Sequence, residues 1–326
     1  GLLTGEGVNL DAGAEPDERA DTAAAAPRRR FTHLVPMHEG EGGEATPFFL
    51  VAGMFGNVLN LRHLAHLLGA DRPFYGLQAK GLLGNEAPHD DVAEAAASMI
   101  AEMRQVQPHG PYLLGGFSGG GITAYEIAQQ LEAAGEKVAL VVLLDTPLPQ
   151  RRPLSGKDRA LIQLQELRRK GPGYLGKWAV NRVKWEQAKR RGAAPEAPQS
   201  DAPQFHNAAI EAAFLTSVAA YELKPWSGNL VLFRPPLVGH WQVSNGRWVD
   251  SQRAYLFEDN DWGEWAPGLS VHEVPGDHDS MVLEPNVRVL AAHMRREIEA
   301  AEAQPAPDAD PAQPAHPAHS PAEAAE

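Results

Sequence analysis

The sequence predicts an α/β fold, a mostly parallel central sheet flanked by helices and interrupted by a helical insertion. Three observations carry that expectation. Short apolar runs alternate with stretches of helical spacing between residues 47 and 144, strand signals vanish across 151–222, and they return at 229–233 and 269–274 ahead of a last helix. Short apolar runs mark strands covered on both faces, and strands that alternate with helices pair in parallel through right-handed crossovers.

Thr32-His33-Leu34-Val35-Pro36-Met37 reads as an edge strand and Pro47-Phe48-Phe49-Leu50-Val51-Ala52 as a buried one. The turn Gly53-Met54-Phe55-Gly56-Asn57 leads to Leu59, Leu61, Leu64, Leu67 and Leu68 at helical spacing. Pro73-Phe74-Tyr75-Gly76-Leu77 is the next strand, and 92–107 is an alanine-rich helix with Met99, Ile100 and Met103 on one side, stopped before Pro108. Pro111-Tyr112-Leu113-Leu114 enters the glycine-rich stretch 115–121, helix 122–134 leaves it, and Gly135 ends that helix. Strand 138–144 closes on Asp145-Thr146-Pro147. The insertion holds helical segments at 158–170, 174–191 and 206–223, with a Pro/Ala-rich loop at 192–203. Trp241, Trp248, Trp262 and Trp265 fall between the last two strands and indicate a packed excursion rather than a bare turn. Helix 287–301 ends the fold.

A chain of 326 residues, 43% hydrophobic and 22% charged, is expected to form one large domain with tails. Residues 1–30 read as a disordered linker, 31–302 as the domain, and the Ala/Pro-rich 303–326 as a disordered tail. Cysteine is absent, which excludes disulfides, thiolate metal sites and a cysteine nucleophile. No run approaches the ~20 apolar residues of a membrane helix. The opening thirty residues hold no apolar run of signal-peptide type and the first residue is Gly1, which together point to an excised piece of a longer polypeptide; the absence of cysteine does not set the compartment, and a cytoplasmic address fits. The net charge of −13 argues against a nucleic-acid partner.

The chemistry gathers around Gly116-Phe117-Ser118-Gly119-Gly120. A Gly-x-Ser-x-Gly turn between a strand and a helix lifts a serine to the top of a sheet, and glycines on either side let strand and helix approach. A glycine turn that merely packs, or that binds phosphate at a helix N-terminus, is the plainer alternative, but phosphate loops carry a Lys where Ile122 and Thr123 stand. Serine is a poor nucleophile unless a base takes its proton and N–H donors receive the oxyanion. Asp145 directly follows the next strand, and His278, in Pro275-Gly276-Asp277-His278-Asp279-Ser280, follows the last one. In a parallel sheet all three emerge at one edge, in the chain order Ser, Asp, His of the α/β-hydrolases. Asp145 as a helix cap and His278 as a surface residue held by its acidic neighbours are the competing assignments, and Asp259 and Asp261 compete as the acid. The expected oxyanion donors are the backbone N–H groups of Gly119 and Met54. The run Gly119-Gly120-Gly121 is expected to leave room for a bulky acyl chain, so that Gly120→Val would hurt large substrates most. Trp178, Trp185 and Phe214 are candidates to line the pocket or to form core.

Residues 47–299 resemble the type I thioesterase domain that ends nonribosomal peptide synthetases and polyketide synthases. The resemblance is carried by Pro47-Phe48-Phe49-Leu50-Val51-Ala52-Gly53-Met54-Phe55-Gly56, Tyr75-Gly76-Leu77-Gln78, the stretch from Gly110 to Gly120 around the serine, Leu143-Leu144-Asp145-Thr146 and Pro275-Gly276-Asp277-His278. It implies a Ser118-His278-Asp145 thioesterase of α/β-hydrolase fold with a helical lid after Asp145 (151–222). It also implies no cofactor of its own, and a substrate borne on the phosphopantetheine of a carrier protein domain upstream in the same polypeptide. The turn at 52–55 and the length of 235–267 depart from the family's usual form. A stand-alone or editing esterase, or a catalytically silent scaffold, are the alternatives.

The stretch 151–191 holds thirteen Lys or Arg against three acidic residues inside an acidic chain. It reads either as a solvated helical face or as a surface that receives an acidic carrier domain, with Arg168, Arg169 and Lys170 as docking residues.

Overall fold

The computed structural model describes residues 31–40, 45–82, 84, 86–171 and 207–303. The chain clusters into the units Gly1–Phe31 and Thr32–Glu326, and the second carries the fold. The linker at 1–30, the helix expected at 174–191, the loop at 192–203 and the tail from 304 onward lie outside the described residues.

Seven strands form one sheet in the order β1-β3-β2-β4-β5-β6-β9. They are β1 (Leu34–His38), β2 (Phe48–Val51), β3 (Phe74–Leu77), β4 (Tyr112–Phe117), β5 (Val138–Leu144), β6 (Leu230–Arg234) and β9 (Ser270–Glu273). Among the described residues of this sheet only β1 is antiparallel, to β3, and its other pairings are parallel. The start of β1 is held by Glu102, whose carboxylate accepts the N–H groups of Thr32, His33 and Leu34 at 2.7–2.8 Å.

Alternate residues of the strands, Phe48 and Leu50, Leu113, Leu140 and Val142, Val231 and Phe233, bury one face of the sheet against helix α1 (Arg62–Leu67) and the terminal helix α6 (Val287–Ala303). Helix α3 (Gly120–Ala133) packs across β2, β4 and β5 with α2 (Val92–Val106) beside it. α2 starts at Asp91, whose side chain accepts the Glu94 N–H. α3 starts two residues before its apolar spacing begins, because glycines carry no periodicity signal.

After β5 come two helices of the insertion, α4 (Gly156–Lys170) and α5 (Ala208–Ala220). α4 is capped by Ser155, ends at Gly171 with φ 73°, and buries Asp158, Ile162 and Glu166, one residue per turn along a single face. That face meets a small hairpin, β7 (Trp241–Gln242) and β8 (Trp248–Val249), within the tryptophan-bearing excursion. Ile162 packs with Trp241, Val243 and Val249. Tyr255 Oη donates to Asp158 Oδ2 at 2.5 Å, Ser244 N–H donates to Asp158 Oδ1 at 3.0 Å, and Trp241 Nε1 donates to Glu166 Oε1 at 3.0 Å. The Ser244 hydroxyl also donates to Asp158, and these donors hold its carboxyl well below the usual range. No helix among the described residues is long and apolar enough to cross a membrane.

Candidate active site

Ser118 leaves β4 with φ 53°, a left-handed conformation that a non-glycine residue adopts only when its surroundings impose it. They do so on both sides. Its N–H donates to Leu144 O at 2.8 Å, and its carbonyl accepts the Gly121 N–H at 3.1 Å as α3 begins. A Cβ on Gly116 would lie 2.3 Å from the backbone of Gly120, and one on Gly120 would lie 2.1 Å from Ala52 O. The turn therefore brings the end of β2 against the start of α3.

That packing corrects the expectation that the three glycines leave room for substrate. The space beside Gly120 is filled by the carbonyls of Val51 and Ala52, that beside Gly121 by Thr146, and that beside Gly119 by the ring of Phe214 from α5. Whether a missing side chain faces a void or another atom depends on contacts remote in sequence.

Asp145 leaves β5 with φ 46°, its N–H donating to Phe233 O of β6 at 2.8 Å. Its Oδ2 stands 2.7 Å from His278 Nδ1, and His278 Nε2 stands 2.9 Å from Ser118 Oγ. An ionised carboxylate only accepts, so Nδ1 carries the proton and Nε2 is left to accept from the serine hydroxyl. His278 lies on the loop after β9, stacks on Phe117 at 5.3 Å between ring centroids, and is 43% exposed. Burial pulls its pKa down, but the hydrogen bond and charge of Asp145, with Asp279, overcome this and hold it above the ordinary histidine value. Arg151 opposes them.

Neither competing acid reaches His278. Asp259 accepts the N–H groups of Asp261 (2.9 Å) and Gly263 (3.0 Å), and Asp261 pairs with Arg152 at 2.5 Å. Asp277, the acidic neighbour of His278, bonds Ser280. The residue between the rivals was not legible as part of the site. Asn260 Nδ2 donates to Asp145 Oδ1 at 3.1 Å.

Met54 belongs to the turn after β2, closed by the Gly56 N–H donating to Gly53 O at 2.8 Å. A Cβ on Gly53 would lie 3.5 Å from Ser118 Cβ, so this turn runs alongside the serine. Among the described residues, the N–H groups of Met54 and Gly119 donate to no backbone carbonyl. Phe214 and Ile210 of α5 close over a cavity of about 60 Å³ bounded by Ala52, Met54, His89 and Met99. Arg168, Arg169 and Lys170 form the last turn of α4, where cations suit the helix dipole. Lys170 pairs with Glu166, Arg169 Nη1 lies 3.2 Å from His240 Nε2, and Arg168 is exposed. These three lie away from Ser118 and His278 in sequence.

Chondramide synthase of Chondromyces crocatus is 30% identical over 295 residues, 85% of this chain and 7% of that protein. Indigoidine synthase of Dickeya dadantii is 40% identical over 153 residues, 47% of this chain and 10% of that protein. The chain thus spans a tenth or less of these relatives. Among solved structures, the NocB thioesterase domain in covalent complex with a fluorophosphonate nocardicin G analog shares the fold with a TM-score of 0.54 at 21% identity, over 82% of this chain and 99% of that one. The family model described as thioesterase domain matches residues 46–295. That span takes in Ser118, Asp145 and His278 and covers most of the sequence, so the chain belongs to the thioesterase domain family of α/β-hydrolase fold.

Proposed function

We propose that this domain releases an acyl, polyketide or peptidyl chain from the phosphopantetheine thiol of a carrier protein through an ester on Ser118. The observation that carries the proposal is the unbroken hydrogen-bond chain from Ser118 Oγ through both nitrogens of His278 to Asp145. The substrate class rests on the synthetase relatives, of which the chain matches only a small part. Those same proportions support a carrier in the same polypeptide.

In this mechanism Ser118 Oγ attacks the thioester carbonyl as His278 Nε2 takes its proton. Asp145 holds the ring in the required tautomer and stabilises the imidazolium. The N–H groups of Gly119 and Met54 receive the oxyanion. When the C–S bond breaks, the carrier thiolate takes the proton from His278 and leaves. Water then attacks the ester carbonyl, giving up its proton to His278; the acyl–Oγ bond breaks, Ser118 Oγ takes that proton back from His278, and a free acid leaves, whereas a hydroxyl or amine of the bound chain attacking in place of water yields a ring.

The test is labelling by a fluorophosphonate, the class of reagent named in the complex of the NocB domain. Wild type is expected to label and Ser118→Ala not to. Folded wild type that stays unlabelled, and that hydrolyses no acyl thioester, would favour a silent scaffold.

The basic end of α4 is proposed to receive the acidic carrier. Lys170 is committed to Glu166, so reversal there would damage α4 itself; Arg168→Glu and Arg169→Glu are the informative variants. They are expected to slow release from a carrier thioester and to spare a small soluble thioester. Equal losses on both substrates would refute docking at this surface.

A further inference from the structure

We propose that Asn260 is a positioning residue for the acid, fixing the Asp145 carboxylate in the plane from which it meets His278. The proposal rests on the triad reading above and extends it. One oxygen of Asp145 faces His278 Nδ1; the other accepts from Asn260 Nδ2 at 3.1 Å, and the same amide lies 3.3 Å from Thr146 O. With both oxygens engaged, rotation about Cβ–Cγ breaks one bond or the other.

Asn260 is itself held firmly. It has φ 50° and Asp261 has φ 70°, two successive left-handed residues, a conformation that Asn tolerates better than most side chains. Its N–H donates to Phe257 O at 3.2 Å, and Asp259 braces the next turn through the N–H groups of Asp261 and Gly263. Trp262 follows, fully buried, its indole N–H donating to Thr146 O at 2.9 Å. One loop thus grips the 145–146 pair twice, through the carboxylate and through the adjoining carbonyl. Asp261 ties the loop to Arg152, seven residues beyond the acid.

An amide suits the position chemically. It satisfies a lone pair of a carboxylate that must stay ionised, and it carries no positive charge to compete with the imidazolium for Asp145. A carboxylate there would repel Asp145, and an apolar group would leave its oxygen unsatisfied.

The experiment compares Asn260→Gly, which keeps the left-handed backbone and removes the amide, with Asn260→Asp, which keeps size and backbone and replaces the donor by a charge. Hydrolysis of a soluble acyl thioester is measured from about pH 5 to 10, and the low-field proton resonance of His278 Nδ1–H is followed by NMR. The charged groups that act on His278 include Asp145, Asp279 and Arg151, and Asp277 interacts with it as well, all unchanged in both variants. Asn260→Gly is expected to lower kcat about tenfold to a hundredfold with KM unchanged, as a misplaced catalytic group does, and to shift or broaden that resonance. Asn260→Asp is expected to move the acidic limb of the pH profile upward by adding a negative charge near the imidazole. If both variants keep kcat, the pH profile and the resonance, with only thermal stability altered, Asn260 is structural and the proposal fails. Ser118→Ala, run alongside, separates the two levels: if it retains activity, the triad reading falls, whatever the Asn260 variants do.

Discussion

The ring of Phe214 lies directly over Gly119: a Cβ on that glycine would come within 2.3 Å of Phe214 Cζ. A helix of the insertion therefore stands against the residue whose N–H is the proposed oxyanion donor. Phe214→Ala opens that contact and enlarges the small cavity bounded by Met54 and His89, beside the residue that follows the proposed nucleophile. The expected outcome is a rise in kcat/KM for bulky acyl thioesters relative to acetyl thioester. An unchanged ratio across the series would remove Phe214 from specificity.

Gly120 has no such freedom. Its absent Cβ would sit 2.1 Å from Ala52 O and 2.6 Å from Val51 O, both backbone atoms. Gly120→Ala is expected to destabilise the fold by about 1–3 kcal/mol, the usual cost of overpacking, with no preference for large or small substrates. Denaturant melts and a substrate series read the two halves of that statement separately.

The pH dependence follows from His278. As the proposed base it works when neutral, so kcat/KM is expected to fall as pH drops through a value above the ordinary 6.5. Asp145→Asn removes the main cause of the rise and should move this limb downward while cutting the rate. Stability runs the other way. The charged ring is favoured in the folded state, so its contribution is full below the unfolded histidine value and is lost as pH rises through the folded one. Thermal melts of wild type and His278→Gln across this window should converge at high pH.

Asp158 offers a test of local order. Its carboxylate accepts from Ser244 and Tyr255 across the junction of α4 and the hairpin, and Arg247 lies 3.6 Å away. Asp158→Ala is expected to speed amide hydrogen exchange in 156–170 and 241–255 while leaving β4 and β5 protected. For the wild type, the same loosening is expected on acidification, because the stabilisation from a depressed pKa is full above the unfolded carboxylate value and is lost as pH falls through the folded-state one.

The central strands and the chain order Ser118, Asp145, His278 could be read directly because β2, β4, β5 and β6 are short, largely apolar runs, Ser118 and Asp145 directly follow β4 and β5, and His278 stands on the loop after β9. Proximity in sequence to a strand end is a local signal. Asn260 has none: it sits in an excursion without periodicity, between two aspartates that looked the better acids, and reaches Asp145 through a left-handed turn built around Trp262. The spaces beside Gly119, Gly120 and Gly121 were illegible for a related reason. What fills them, Phe214, Ala52 O and Thr146, comes from three other parts of the chain.

The two described helices of the insertion are secured very differently. α4 is bolted to the hairpin by Asp158, Ile162 and Glu166 on a single face, whereas α5 buries only Ile210 and Ser217 along its length. Breaking the first attachment takes from Asp158 and Glu166 the donors of Ser244, Tyr255 and Trp241; shifting the second uncovers few fully buried side chains. Of the two described helices, α5 is the more lightly buried, and a substrate too large for the resting shape is expected to displace it, with Phe214 beside Gly119, before α4.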